Sequence, residues 1–268
     1  MQLTLVLVIY NQKIEDSPSF QSISNYLKGK FDVIIYDNSQ TPQIVDQNKY
    51  NFPINYVHDS RNLGIASAYQ YALDETKNDW LVLLDQDTHL TVDYFNELNE
   101  SLLKIDEKSV VVVPQVRAGG KIVSPASNIN FTFESNHLTQ GQQIETVTGI
   151  NSGACFKVSW LRTIGGFNQQ FPLDYLDHWL FFSVYQSGHV VYLMNVVIEH
   201  DLSVMDYNNI SLDRYISISE SENRYYSSYK KDQYKSYRKH LKLRFLKQLI
   251  FVKNKKIMKQ TLKLIFEK

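Results

Sequence analysis

Apolar runs recur through the first third of the chain, at LTLVLVI (3–9), FDVIIY (31–36), INYVH (54–58) and WLVLLD (80–85). They are nearly continuous rather than alternating, which is the pattern of strands covered on both faces, as in a parallel sheet between helix layers. Segments of helical period lie between them. After Asn62-Leu63-Gly64, the residues Ile65, Ala68, Tyr69, Ala72 and Leu73 fall at i, i+3, i+4, i+7 and i+8 and predict a helix. A further helix is expected around Val92 to Ile105, with Asp93 and Glu97 near its start, and VVVVPQV (110–116) reads as another strand. Strands and helices alternate, so the predicted class is α/β, with a Rossmann-like, mostly parallel central sheet flanked by helices.

From 117 to 145 the composition turns polar and irregular. With Asn128, Asn130, Ser135 and Asn136, this stretch reads as a loop-rich insert, either shaping the edge of a cleft or simply solvated. Order resumes with GACFKV (153–158), a short helix ending at Gly165-Gly166, a helix through Asp177 to Tyr185, and strands at HVVYLM and VVIEH. No repeat or linker interrupts residues 1–229, which are expected to form one compact domain.

Charge changes the picture at residue 230. The net charge is zero, yet residues 230–268 hold 14 Lys+Arg against 2 Asp+Glu, while residues 1–229 hold 14 against 26. In the basic segment, RKHLKLRFLKQLIFV places Leu241, Phe245, Leu249 and Val252 on one expected helical stripe among Lys and Arg. Such a basic amphipathic extension suits an anionic membrane surface, or equally the acidic surface of the chain's own domain, with nucleic acid a weaker partner.

The lone cysteine, Cys155, excludes a disulfide framework and a cysteine-rich metal site and points to the reducing cytosol; it is expected to pack as a small hydrophobe. MQLTLVLVI lacks a basic leader and a small-residue cleavage site and is expected as a first strand rather than a signal peptide. No run of 18 apolar residues occurs, so no membrane span is expected. Asn130-Phe131-Thr132 and Asn209-Ile210-Ser211 match the glycosylation acceptor pattern, by chance in a cytosolic chain.

Acidic residues stand where two of the apolar runs end, the position at which open parallel sheets bind ligands. Asp37 follows VIIY, and Asp85 and Asp87 close WLVLLDQD. Two carboxylates one residue apart can divide a task, one accepting hydrogen bonds from a ribose and the other holding a hard divalent cation by oxygen; pairs like this also form turns and helix caps. Asp37 suits either an Asx turn or the edge of a nucleobase or sugar. Arg61, Asn62 and Gly64 lead into a helix N-terminus that suits an anion, although Asn62 could equally be a plain N-cap. Neither GxGxxG nor GxxxxGK[ST] occurs, which disfavours a dinucleotide fold and a P-loop hydrolase. Asp174, Asp177 and His178 open a predicted helix beside Trp179, Phe181 and Phe182; acids there cap helices, and a partly desolvated carboxylate beside aromatic groups also suits a general base. His200, closing VVIEH, is either structural or a nitrogen ligand for the same cation.

Taken in order, these segments resemble the family 2 glycosyltransferases of the GT-A fold, particularly the bacterial rhamnosyltransferase-like branch, over roughly residues 1–225. LVLVIYNQ looks like the opening strand and loop, with Tyr10 and Asn11 at the nucleotide, and IIYDNS like the strand whose acid reads the base. RNLGIASAYQYAL resembles the loop and helix that follow. Asp85-Gln86-Asp87 falls at the family's DxD position, which implies Asp85 and Gln86 at the donor and Asp87 on Mg²⁺ or Mn²⁺, with His200 where some members supply a further ligand. NSGACF and IGGF look like the acceptor-side segment. LDYLDHW resembles the block that carries the catalytic base, implied to be Asp177; Trp179 and Ser183 stand where the branch often shows an acid and an arginine.

The resemblance implies an inverting, metal-dependent transfer of a sugar, with rhamnose from dTDP-rhamnose favoured and a UDP-hexose second, to a glycan or lipid-linked saccharide in bacterial surface polysaccharide synthesis. It also implies a cytoplasmic enzyme, peripheral on the membrane if residues 230–268 bind there. Two rivals are a non-catalytic sugar-nucleotide-binding protein and a nucleotidyltransferase, whose basic glycine-rich phosphate loop is missing near the first strand.

Overall fold

The computed structural model describes residues 3–27, 31–129, 132–134, 138–200 and 210–266; Asn130, Ser135, Asn136 and Asn209 lie outside the described residues. The chain divides into two compact units, one of residues 1–129 with 133–202 and one of residues 130–132 with 203–268.

Up to His200 the elements run β1 (Leu3–Ile9), α1 (Pro18–Tyr26), β2 (Phe31–Asp37), β3 (Ile54–His58), α2 (Ile65–Glu75), β4 (Trp80–Asp85), β5 (Thr88–His89) and α3 (Val92–Lys104). They continue with β6 (Ser109–Ala118), β7 (Lys121–Ser124), β8 (Ala126–Ile129), β9 (Thr132–Glu134), β10 (Gly141–Gln143), β11 (Val147–Thr148), β12 (Cys155–Lys157), α4 (Val158–Thr163), α5 (Leu176–Gln186) and β13 (Val190–His200). The main sheet has the order β10-β13-β6-β12-β4-β1-β2-β3. Strands β3, β2, β1 and β4 pair in parallel, as do β6 and β13, and short β12 joins the two groups by pairing antiparallel to both β4 and β6. This curled, mostly parallel sheet between helices is the expected α/β class.

Burial explains the continuous apolar runs. Leu5, Leu7, Val33, Ile35, Val82 and Leu84 pack in a core with Phe20 and Ile23 of α1 and Tyr94, Phe95 and Leu98 of α3. The alternate residues Val6, Ile34, Leu81 and Leu83 are buried as well, so both faces of these strands are covered. Cys155 is one of the core residues, and burial pushes its thiol well above the usual range.

Residues 117–145 are more ordered than their composition suggests. They include β7, which returns on β6 through Gly119-Gly120, both glycines at positive φ, and β8 and β9, which form a small sheet with β11. The segments HVVYLM and VVIEH are one strand, β13, whose pairing with β6 shifts register between Leu193 and Val197. That irregularity is why the sequence reads as two strands: the alternation loses phase there while the chain continues.

The helices of the second unit, among the described residues, are α6 (Leu212–Ser228), α7 (Tyr234–Phe251) and α8 (Lys255–Phe266). Its small apolar core of Tyr215, Val252 and Ile257 is supplemented by a buried polar chain. Gln248 donates from Nε2 to the Tyr215 hydroxyl at 2.9 Å, and Thr261 donates from Oγ1 to Gln248 Oε1 at 2.7 Å. Arg244 grips Glu222 with two hydrogen bonds of 2.6 and 2.7 Å, both side chains nearly out of water. Removing either partner of such a pair would strand the other charge. The expected stripe on α7 is split by this packing: Leu241 and Val252 are buried, Phe245 is partly buried and Leu249 is exposed. Among the described residues no helix is long and apolar enough to cross a membrane.

One glycine ties two distant segments of the first unit together. Gly64, at φ +89°, is the N-cap of α2, and a Cβ there would lie 2.2 Å from the Pro172 carbonyl oxygen. The same oxygen accepts the Ala66 N–H at 3.1 Å. Gly64→Ala is therefore expected to lower stability by about 2 kcal/mol or more, from backbone strain and the forced retreat of Pro172, read as a lower urea midpoint. An unchanged midpoint would contradict this account.

Candidate active site

Register places the strand-end acids on one edge of the sheet. Ile9 pairs with Asp37 and Asp37 with His58, while Val8 pairs with Asp85. From the other side, β13 ends with His200 opposite Thr88 of β5, just past Asp87. Ligand atoms of Asp85, Asp87 and His200 consequently lie within 4.8 Å of one another.

Neighbouring groups hold this cluster in place. The fully buried Tyr69 of α2 donates its hydroxyl to Asp85 Oδ1 at 3.0 Å, and the Asp85 N–H donates to Ser152 Oγ at 2.9 Å. Thr88 Oγ1 lies 2.5 Å from Ser152 Oγ and 2.9 Å from His200 Nδ1, which is itself 3.6 Å from Asp87 Oδ1. Burial raises the pKa of Asp85; Asp87 and Asp177 add repulsion, and His200 and Tyr69 work in the opposite direction. Asp87 Oδ1 is buried and accepts no hydrogen bond from the described residues. An orphaned carboxylate oxygen beside a second carboxylate and an imidazole is a donor set that fits Mg²⁺ or Mn²⁺.

Asp177, in the first turn of α5, belongs to the same neighbourhood, since its charge acts on both Asp85 and Tyr69. Its surroundings act differently from the sequence-based expectation. Burial does push its pKa up, but the His178 imidazole, at 2.9 Å from Asp177 Oδ1, and the His178 N–H, at 2.8 Å, outweigh that push and hold the carboxyl below its ordinary value. The His178 ring lies 4.4 Å from that of Tyr175, which caps the helix in a left-handed conformation at φ 65°. Asp174 precedes that cap and is half-buried.

The remaining candidates build the rim. Tyr10 is 45% exposed, and its N–H donates to Gln86 Oε1 at 2.8 Å, joining the loops after β1 and β4. Asn11, at φ 50°, donates its N–H to Ser39 Oγ at 2.8 Å and so joins the loops after β1 and β2. Asp37 is fully buried: Oδ1 accepts the Ser39 N–H at 2.9 Å in an Asx turn, and Oδ2 accepts from Gln43 Nε2 at 3.0 Å and the Tyr56 hydroxyl at 2.8 Å. Arg61 is paired in two bonds of 2.8 and 2.7 Å with Asp59, whose carboxyl is held well below the usual range. Its side chain nevertheless stays 72% exposed. Asn62, at φ 48°, donates its N–H to the Asp59 carbonyl, and the cap of α2 is Gly64 rather than Asn62. The contact of Gly64 with Pro172 sets this loop beside the segment leading to Asp177.

Sequence reasoning misses Tyr69, Thr88, Ser152, Gln43 and Tyr56. Thr88 and Ser152 are adjacent to recognised motifs, in DQDT and NSGACF, which is a usable signal; Tyr69 is indistinguishable from its core-facing neighbours on α2.

An uncharacterized glycosyltransferase of Haemophilus influenzae is 29% identical over 85 residues, covering 32% of this chain and 29% of that protein's length. Among solved structures, residues 1–349 of S. aureus TarS superpose with a TM-score of 0.53 at 13% identity, covering 99% of this chain and 90% of that one. The mannosyltransferase PcManGT from Pyrobaculum calidifontis, in complex with GDP-Man and Mn²⁺, gives a TM-score of 0.56 at 15% identity, covering 84% of this chain and 63% of the other. These likenesses identify the fold as GT-A. Residues 4–165 match the sequence profile of Glycosyl transferase family 2, more than half of the chain, and the chain belongs to that family.

Proposed function

We propose that the chain is an inverting, metal-dependent glycosyltransferase that moves a sugar from a nucleotide-sugar donor to an acceptor hydroxyl. The observation that carries this reading is the meeting of Asp85, Asp87 and His200 at the carboxyl edge of the sheet, with Asp177 electrostatically linked to the same place. Asp87 and His200 would hold the divalent cation, and Asp85, with Gln86 beside it, would face the ribose. The cation, when bound, neutralises charge that gathers on the departing diphosphate. Tyr10, Asn11 and the Asp37 turn form the nucleobase wall, and the loop of Arg61, Asn62 and Gly64 borders the phosphates.

Asp177 carries the proton transfer. Held below the ordinary carboxyl range, it is ionised at neutral pH and free to accept a proton. The acceptor oxygen attacks the anomeric carbon from the face opposite the diphosphate, the bond to the diphosphate oxygen breaks, and the hydroxyl proton ends on Asp177. One displacement inverts the configuration and needs no covalent intermediate.

The favoured donor is dTDP-rhamnose, on the resemblance of the motif blocks to the rhamnosyltransferase-like branch. The acceptor is a hydroxyl of a glycan or lipid-linked saccharide in surface polysaccharide synthesis. A UDP-hexose is the second reading, supported by TarS, one structure of which is in complex with UDP-GlcNAc.

Asp177→Asn is expected to bind donor with nearly unchanged affinity by calorimetry while transfer of labelled sugar falls by on the order of 10³-fold. Transfer retained at the original rate would move the base away from Asp177. Because burial and its acidic neighbours raise the pKa of Asp85, the negative charge it would lend to a cation on Asp87 and His200 is lost earlier on acidification than that of an ordinary carboxylate, and Mn²⁺ affinity is expected to fall as the pH is lowered, less steeply in Asp85→Asn than in the unaltered chain. A flat titration would contradict that coupling.

A further inference from the structure

The second unit carries a surface that the transfer chemistry does not use. Along α7 the packed side is Tyr237, Leu241, Arg244 and Gln248, partly or fully buried against the unit's interior. At 100° per residue, the opposite side carries Leu243, Leu246, Leu249 and Ile250, which are 58, 54, 43 and 75% exposed. Lys235, Lys239 and Lys242 fall on that same side, and all three are exposed.

We propose that this outward face of α7 is a docking surface for an anionic lipid bilayer. Large aliphatic side chains in water need a cover, and what they are interleaved with selects it. Interfaces between proteins deplete lysine at their cores, because an ammonium loses its hydration there without a fixed partner. A helix lying in a bilayer interface wants this mixture: the leucines enter the acyl boundary while the lysine stems run along the apolar surface and their ammonium groups reach the phosphates. The charge agrees. Residues 230–268 hold 14 Lys+Arg against 2 Asp+Glu, so the segment meets an anionic surface with an attractive field.

The surface stands apart from the proposed reaction, and none of its residues belongs to the candidate active site. The test is co-sedimentation of the full chain with phosphatidylglycerol-rich vesicles and with pure phosphatidylcholine vesicles, at low and high salt. Binding to the anionic vesicles is expected, weakening steeply with salt, and Leu246→Glu/Ile250→Glu is expected to reduce it about tenfold or more. Circular dichroism and thermal unfolding keep the result readable, since substitutions at exposed positions leave the fold nearly unchanged. A Lys239→Glu/Lys242→Glu variant, which leaves the apolar residues in place, should lose affinity for anionic vesicles as well. Absence of binding, equal binding to neutral vesicles, or binding indifferent to both variants would overturn the proposal. So would a dimer seen by light scattering that Leu246→Glu/Ile250→Glu dissolves while vesicle binding persists, which would assign the face to a second copy of the chain.

Discussion

The site rests on an electrostatic conflict placed at the end of a buried strand. Asp85 is desolvated and faces the negative charges of Asp87 and Asp177, an arrangement that by itself favours protonation. Tyr69 and His200 offset part of the conflict, the first by a hydrogen bond and the second by its proximity. The rest is left open in a form that a divalent cation would relieve: among the described residues nothing donates a hydrogen bond to a buried Asp87 oxygen, while an imidazole stands close by. Carboxylates held in this way raise affinity for a cation at a cost in stability, a common bargain at functional sites.

The fold supplies that arrangement through register. The strands that end in Asp37 and Asp85 share an edge because β2, β1 and β4 are parallel and in step, and β13 delivers His200 from the far side of the sheet by pairing with β5. The loops are then fastened to one another rather than left to solvent. Gln86 accepts the Tyr10 N–H, Ser39 accepts the Asn11 N–H, and Gly64 packs on Pro172. A shift in any one of these loops would be felt by the others.

Much of this frame is legible in the sequence, because strands covered on both faces read as unbroken apolar runs and their ends mark the ligand edge. What is not legible depends on partners far along the chain. Asp37 reads equally as a turn former or a ligand contact, and its carboxylate is occupied by Ser39, Gln43 and Tyr56, the last 19 residues away and without a local signature. Asp177 has aromatic neighbours that argue for a raised pKa, yet one hydrogen-bonded imidazole reverses the direction. The strands β7 to β10 escape notice because they are short and polar. On α7, apolar residues occupy nearly every side, so periodicity alone cannot say which face packs; burial of Leu241 and exposure of Leu249 decide it.

The central claim is that Asp87 and His200 hold one divalent cation beside Asp85. It is tested most directly by anomalous diffraction from crystals containing Mn²⁺ and a nucleoside diphosphate. The account predicts a manganese peak roughly 2–2.4 Å from a carboxylate oxygen of Asp87 and from a ring nitrogen of His200, with the peak lost in Asp87→Asn. A manganese peak elsewhere in the chain, or one that survives that substitution undiminished, would contradict it.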